Sequence, residues 1–111
     1  MQIGQEHRGD ITIVEIRGRI DINAAISLGE RLTALIKAGR NRVMLDLKNL
    51  VYISSAGFRA LLIAGRLAEE NKCTLVLCSL SNEIQRLFDL GAFTDQFQIY
   101  SSREEGVAKV S

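Results

Sequence analysis

The order of the hydrophobic patterns predicts an α/β fold: a small mixed, mostly parallel sheet of about five strands, with four helices chiefly on one face. Segments with alternating or continuous apolar residues, typical of strands, are separated by segments whose apolar residues recur every three to four positions, typical of helices. Strands joined through helices form βαβ units and therefore parallel sheets. The almost continuous apolar run 74–78 is typical of an interior parallel strand. At 111 residues, the chain 1–111 is predicted to be a single domain.

The N-terminal half is predicted to begin with a hairpin and to continue through one helix. Gly9-Asp10 is a typical turn sequence, and Gly39 is a typical residue just after a helix end. The predicted elements are an edge strand at 2–8, a strand at 11–17, a loop at 18–23 and a helix from Ala25 to Lys37.

The C-terminal half is predicted to alternate strands and helices. Ser81 is a typical helix N-cap, and Ser102 to Glu105 fits a capping box that Gly106 weakens. The predicted elements are strands at 42–48, 74–78 and 96–100, and helices at 56–71, from Ser81 to Leu90 and after Ser102.

Composition narrows the classes of function. The net charge is +1 with acidic and basic residues interspersed, which does not indicate binding to nucleic acid or to an anionic membrane. No apolar run is long enough to span a bilayer, and residues 1–6 lack the basic start and apolar middle of a signal peptide. We therefore expect a cytoplasmic protein without direct membrane insertion. Cys73 and Cys78 would lie on opposite faces of one strand, as two reduced thiols.

The hydrophobic period changes from two to about 3.6 near Gly57, so Ser54 and Ser55 lie where a strand passes into a helix. Small residues leave the first-turn amides uncovered, and the helix dipole favours an anion there. Ser55 is thus a hydroxyl in a predicted anion site. Helix capping is the alternative interpretation of this pair, and one serine can cap while the other is modified.

A second acidic position is expected near these serines. The carboxyl ends of parallel strands form the edge where α/β proteins place their sites. Asp21 follows the predicted second strand and would reach the same edge as Ser55 if the two strands are parallel. The alternative is that Asp21 is simply the N-cap of the next helix.

The sequence gives little support to a catalytic, metal-binding or nucleotide-binding function. The only histidine, His7, lies in the predicted first strand, so nothing links it to Ser55 as a catalytic base. Asp46 lies near a strand end, like the phosphoacceptor of a receiver domain, but Asp10 lacks the acidic neighbour that a magnesium site needs. Asp46 is predicted to anchor a loop or to pair with a Lys or Arg. The sequence has no glycine-rich phosphate loop, so nucleotide binding is not supported. Taken with the missing base and the missing acidic pair, this leads us to expect no cofactor, no metal and no enzymatic activity.

The helix after the serines has an outer side with two apolar residues, Ile63 and Leu67, among charged ones. Because this side lies near Ser55, we predict that it docks a partner. Scattered exposed aliphatic residues are the alternative interpretation.

Three ordered segments resemble the STAS domain of bacterial anti-sigma factor antagonists: Gly18 to Asp21, Asp46-Leu47 followed by Tyr52 to Phe58, and Ile84 to Leu90. In that family the serine two residues before the glycine is phosphorylated, and this position is Ser55. Ser54 occupies a position that is usually Asp in the family.

The resemblance implies a phosphorylation-controlled binding switch. The unmodified protein, a monomer when free, would bind an anti-sigma factor that is also an ATP-binding serine kinase, and thereby release its client. Phosphorylation of Ser55 would end binding, and a PP2C-type phosphatase would restore it. Alternatives are a STAS subunit of a membrane transport assembly and a small-ligand or nucleotide sensor. The predicted partner-binding residues are Asp21, Ile22, Asn23, Ser54, Ser55, Ala56, Gly57, Arg59, Ile63 and Arg66.

Overall fold

The computed structural model describes residues 1–110, which contain six strands, four α-helices and one short 3-10 helix. The mixed, mostly parallel α/β sheet predicted from the sequence is confirmed. The elements are β1 (Gln2–Arg8), β2 (Ile11–Ile20), α1 (Ile22–Lys37), β3 (Arg42–Asp46), β4 (Leu50–Ile53), α2 (Ser55–Glu70), β5 (Thr74–Cys78), α3 (Asn82–Leu90), the 3-10 helix (Thr94–Gln96), β6 (Ile99–Tyr100) and α4 (Arg103–Val110).

The strands are ordered β1-β2-β3-β5-β6, and β4 pairs separately with β2. Among the strand pairs of residues 1–110, only the β1–β2 hairpin is antiparallel, and the other pairs are parallel. Besides β1, the long strand β2 has two parallel partners, because Ile11 to Glu15 pair with β3 whereas Gly18 to Ile20 pair with β4. The far end of β2 therefore lies beside the strand that leads into α2.

The sequence prediction was wrong around residues 18–23 and 50–53. A loop was expected at 18–23, but β2 continues to Ile20, with Gly18 at φ +89° and a register shift between Gly18 and Arg19. The strand β4 was not predicted, so the sheet has six strands rather than about five. In this four-residue strand two exposed residues lie between two buried ones. The apolar and polar residues therefore do not alternate as they do in a typical strand, and the sequence pattern did not reveal it. The strands β3 and β6 are also shorter than predicted.

The helices lie chiefly on one face of the sheet, as predicted. The larger core, between the sheet and α1, α2 and α3, includes Ile16, Leu28, Leu45, Leu61 and Phe88. On the other face α4 covers a smaller cluster of Ile11, Ile13, Met44, Val76 and Cys78. Cys73 belongs to the larger cluster and Cys78 to the smaller one, which confirms that the two free thiols face opposite sides.

Arg103 fixes the start of α4 to the sheet through three carboxylates. Its guanidinium lies 2.8 Å from Asp46 and 3.2 Å from Glu15, and it also pairs with Glu6. Asp46 is buried, and its other oxygen accepts a hydrogen bond from the Lys48 amide at 3.0 Å. The prediction that Asp46 anchors a loop or pairs with a basic residue is confirmed in both forms. No helix within residues 1–110 is long and apolar enough to cross a membrane.

Candidate functional site

The two serines at the β4–α2 junction have different roles. The Ser54 backbone is extended, at φ −80° and ψ 168°, and its Oγ accepts a hydrogen bond from the Gly57 amide at 3.1 Å. Ser54 is therefore the N-cap of α2. Ser55 is the first residue of the helix; it is exposed, and its hydroxyl makes no hydrogen bond within residues 1–110. Capping thus engages Ser54 and leaves the Ser55 hydroxyl free to react.

Gly57 lets the start of α2 approach the sheet closely. A Cβ atom on Gly57 would lie 2.7 Å from Cγ1 of Ile53 and 2.8 Å from Cγ2 of Ile20, both too short for a carbon contact. The Ser54 amide also donates to the Ile20 carbonyl at 2.9 Å. The position of Ser55 is therefore set by direct packing of α2 on the ends of β2 and β4. Gly57 itself is buried, so it positions the site rather than presenting a contact.

Asp21 lies at the neighbouring helix start. It is exposed, and its Oδ1 accepts a hydrogen bond from the Ala24 amide at 2.8 Å, so Asp21 is the N-cap of α1. Because β2 and β4 are parallel, with Ile20 opposite Ile53, α1 and α2 begin at the same edge of the sheet. A cleft of about 670 Å³ lies between them. We call it the serine cleft; it is lined by Arg19, Asp21, Ile22, Asn23, Tyr52, Ser54, Ser55 and Ala56.

Arg19 and Tyr52 are members of the serine cleft that sequence reasoning missed. They are partners in the β2–β4 register, and the Arg19 guanidinium carbon lies 4.3 Å from the centre of the Tyr52 ring. This distance is that of a cation–π contact. Recognition of residues 50–53 as a strand would have placed Tyr52 beside the end of β2 and revealed the pair.

An apolar groove between α1 and α2 continues from the serine cleft, since Ile22 and Ala56 line both. The groove has a volume of about 610 Å³ and is lined in part by small residues such as Gly29 and Ala60. The large apolar side chains at its rim are Ile22, Ile26 and Ile63, which are 68%, 60% and 54% exposed. Ile26 was missed, although its spacing of four from Ile22 was the available signal. Arg59 also lines this groove.

Two residues of the predicted docking side of α2 lie elsewhere. Leu67 is only partly exposed and packs against the core, so its prediction as an outward-facing docking residue was wrong. The helix turns this position towards the sheet, whereas Ile63 lies one turn earlier on the α1 side. Arg66 is exposed but borders a separate depression near Phe97 and Cys73. Neither residue lines the serine cleft or the groove.

Residues 2–106 match the STAS domain family, to which the chain therefore belongs. The chain is 32% identical over 108 residues to BtrV of Bordetella bronchiseptica, covering 97% of this chain and 93% of that protein. It is 30% identical over 103 residues to the anti-sigma-B factor antagonist of Bacillus subtilis, covering 93% of each.

A solved structure shares the fold at lower sequence similarity. It is that of the Bacillus cell fate determinant SpoIIAA in its phosphorylated form, which superposes with a TM-score of 0.76 at 16% identity, covering 99% of this chain and all of that one. At this identity the likeness establishes the fold alone.

Proposed function

We propose that this protein is a phosphorylation-regulated anti-sigma factor antagonist whose switch residue is Ser55. The observation that carries the proposal is the free, exposed Ser55 hydroxyl in a cleft continuous with an exposed apolar groove. The similarity to an anti-sigma-B factor antagonist supports the partner class. The phosphorylated form of SpoIIAA shows that a protein of this fold accepts the modification.

The proposed partner of the unmodified protein is an anti-sigma factor that is also an ATP-dependent serine kinase. Its apolar side chains would cover Ile22, Ile26 and Ile63, which border a groove beside the reactive hydroxyl. The same contact would bring the kinase to Ser55. Burial of exposed aliphatic surface supplies the affinity, and Asp21 and Arg59 at the edge contribute polar selectivity.

The protein supplies only the hydroxyl in the phosphorylation step. The Ser55 Oγ forms a bond to the γ-phosphorus of ATP, the bond to the β–γ bridging oxygen breaks, and ADP leaves. The hydroxyl proton passes to a base of the kinase. The single histidine of this chain, His7, is too far away to accept it, because His7 contacts Thr12 near the start of β2. The part of β2 from Thr12 to Ile20 spans about 26 Å at ~3.3 Å per residue, and Ser55 lies beyond the Ile20 end. A PP2C-type phosphatase reverses the modification.

The phosphate ends binding through its charge at the partner surface. A phosphoserine carries about −1.5 to −2 charges, which the first amides of a helix tolerate well. The modified domain therefore stays folded. Within the contact with the partner, an uncompensated charge costs several kcal/mol, and ~2.7 kcal/mol already weakens affinity a hundredfold.

Phosphate mapping tests the assignment of Ser55. The wild-type protein, Ser55→Ala and Ser54→Ala would be incubated with the cognate kinase and ATP and analysed by mass spectrometry. We expect one phosphate on the wild type and on Ser54→Ala, and none on Ser55→Ala. Ser81→Ala, which removes the equivalent cap of α3, controls for the loss of a helix cap. Phosphate on Ser54 with Ser55 unmodified would refute the assignment.

A further inference from the structure

Arg19 is a cation without an anionic partner beside the proposed phosphorylation site. Within residues 1–110 its guanidinium forms no ion pair and no hydrogen bond, and its carbon lies 4.3 Å from the centre of the Tyr52 ring. The nearest acidic residue in sequence, Asp21, uses one carboxylate oxygen to cap α1. By contrast, Arg17, two residues earlier in β2, pairs with Glu15 at 3.3 Å. Arg19 therefore keeps its donors available on the open side of the serine cleft.

The aromatic contact restricts where the guanidinium can lie. Tyr52 and Arg19 are register partners on β4 and β2, and the serine cleft is lined by both together with Ser55. A guanidinium held against a ring loses less conformational freedom on forming hydrogen bonds than one extending freely into water. The planar arrangement of its N–H groups also matches two oxygens of a phosphate.

We propose that Arg19 is the intramolecular receptor for a phosphate on Ser55. Held against the Tyr52 ring, its guanidinium donates two hydrogen bonds to the phosphate oxygens. This inference rests on the proposed function, because it takes Ser55 as the modified residue. It adds a residue that distinguishes the two states of the switch. In the unmodified protein Arg19 presents a positive charge at the partner surface. In the modified protein the phosphate, with about −1.5 to −2 charges, outweighs that single charge and leaves the surface net negative.

Arg59 is the competing candidate. It lies four residues after Ser55 on α2, a spacing that places two side chains on the same side of a helix. However, Arg59 lines the apolar groove and not the serine cleft, whereas Arg19 lines the cleft. The two arginines can be separated by experiment because each is exposed and can be replaced singly.

The test measures the second pKa of phosphoserine at position 55 by phosphorus NMR. The phosphoserine is incorporated genetically during synthesis, so the measurement does not depend on any kinase. The proteins compared are the wild type, Arg19→Gln, Arg59→Gln and Arg17→Gln, each checked for folding by circular dichroism. A free phosphoserine titrates near pH 6. Contact with a guanidinium favours the dianion and lowers this pKa.

We expect Arg19→Gln to raise the second pKa by about one unit relative to the wild type. Arg17→Gln, which removes one charge from the same strand, should change it by less than a third of that shift. An unchanged pKa in Arg19→Gln, or a larger rise in Arg59→Gln, overturns the inference. Neither result bears on whether the kinase modifies Ser55, which the phosphate mapping decides separately.

Discussion

Single side chains at the serine cleft combine structural and proposed functional roles, and Asp21 is the clearest case. Its carboxylate caps α1, which gives it a structural role whatever it contributes to recognition. Replacement by alanine removes both contributions together. Replacement by asparagine keeps a side-chain oxygen for the cap and removes only the charge, because Asn and Asp cap helices about equally well.

We predict that Asp21→Asn melts within a few degrees of the wild type but binds the anti-sigma factor more weakly or resists dephosphorylation. Asp21→Ala should in addition lose about 1 kcal/mol of stability. Ser81→Ala is the matched control, since it should lose a similar amount of stability with unchanged binding. Thermal melts and titration against the partner measure the two effects. Wild-type behaviour of Asp21→Asn in both functional assays removes Asp21 from the site.

Cys78 shows a residue-scale effect unrelated to the switch. Burial raises the pKa of its thiol from 9.0 to about 11, against a smaller opposing effect of a hydrogen bond with Ser79. The folded state therefore holds this proton more tightly than the unfolded state. The resulting stability is fully present below about pH 8 and is lost as the pH rises towards 11, by about 3 kcal/mol in all.

We accordingly expect the free energy of unfolding, measured by urea titration from pH 8 to pH 11, to fall less steeply in Cys78→Ala than in the wild type. Other titrating groups contribute equally to both proteins and cancel in the difference. Identical pH dependence in the two proteins would show that the thiol does not carry this effect.

At the scale of elements, the contact between α2 and the ends of β2 and β4 positions Ser55. Gly57→Ala would place a methyl group against Cγ atoms of two buried β-branched residues, Ile20 and Ile53, which cannot rotate away cheaply. Overpacking of this kind costs about 1–3 kcal/mol, against a gain of about 0.5–1 kcal/mol from replacing glycine in a helix.

We predict a net loss of about 1–2 kcal/mol for Gly57→Ala, together with slower phosphorylation because the start of α2 is displaced. Gly65→Ala in the same helix is the matched control. Its added methyl group meets no atom closer than 3.9 Å, so the helix gain should appear alone. Equal stability of Gly57→Ala and Gly65→Ala in chemical denaturation would contradict this prediction.

Local patterns predicted the elements well, and long-range pairing explains most of what was missed. The change of period at Gly57 is visible within a few residues, so the placement of Ser54 and Ser55 at a helix start followed from the sequence alone. The contact of Arg19 with Tyr52 depends on a strand register between residues 33 positions apart and on β4, a strand too short to show a pattern. The apolar groove depends on the packing of α1 against α2, which no local period encodes.

At the scale of the whole molecule, the proposed binding features are concentrated at one end of the sheet. The serine cleft lies where α1 and α2 begin, and the apolar groove continues from it between the two helices. The opposite face is closed by α4, which Arg103 holds to Glu6, Glu15 and Asp46. Because Ser55 is exposed and outside both apolar clusters, a charge placed there should change the partner surface without disturbing the core.

The measurement that tests this claim most directly is a calorimetric titration of the wild type, Ser55→Asp and Asn82→Asp against the cognate anti-sigma factor. Asn82 is the exposed first residue of α3, so its replacement adds the same charge at an equivalent helix position away from the cleft. We predict that Ser55→Asp binds about a hundredfold more weakly and Asn82→Asp binds like the wild type, with unchanged circular dichroism spectra. Wild-type affinity of Ser55→Asp, equal weakening of Asn82→Asp, or loss of binding through unfolding would contradict the account.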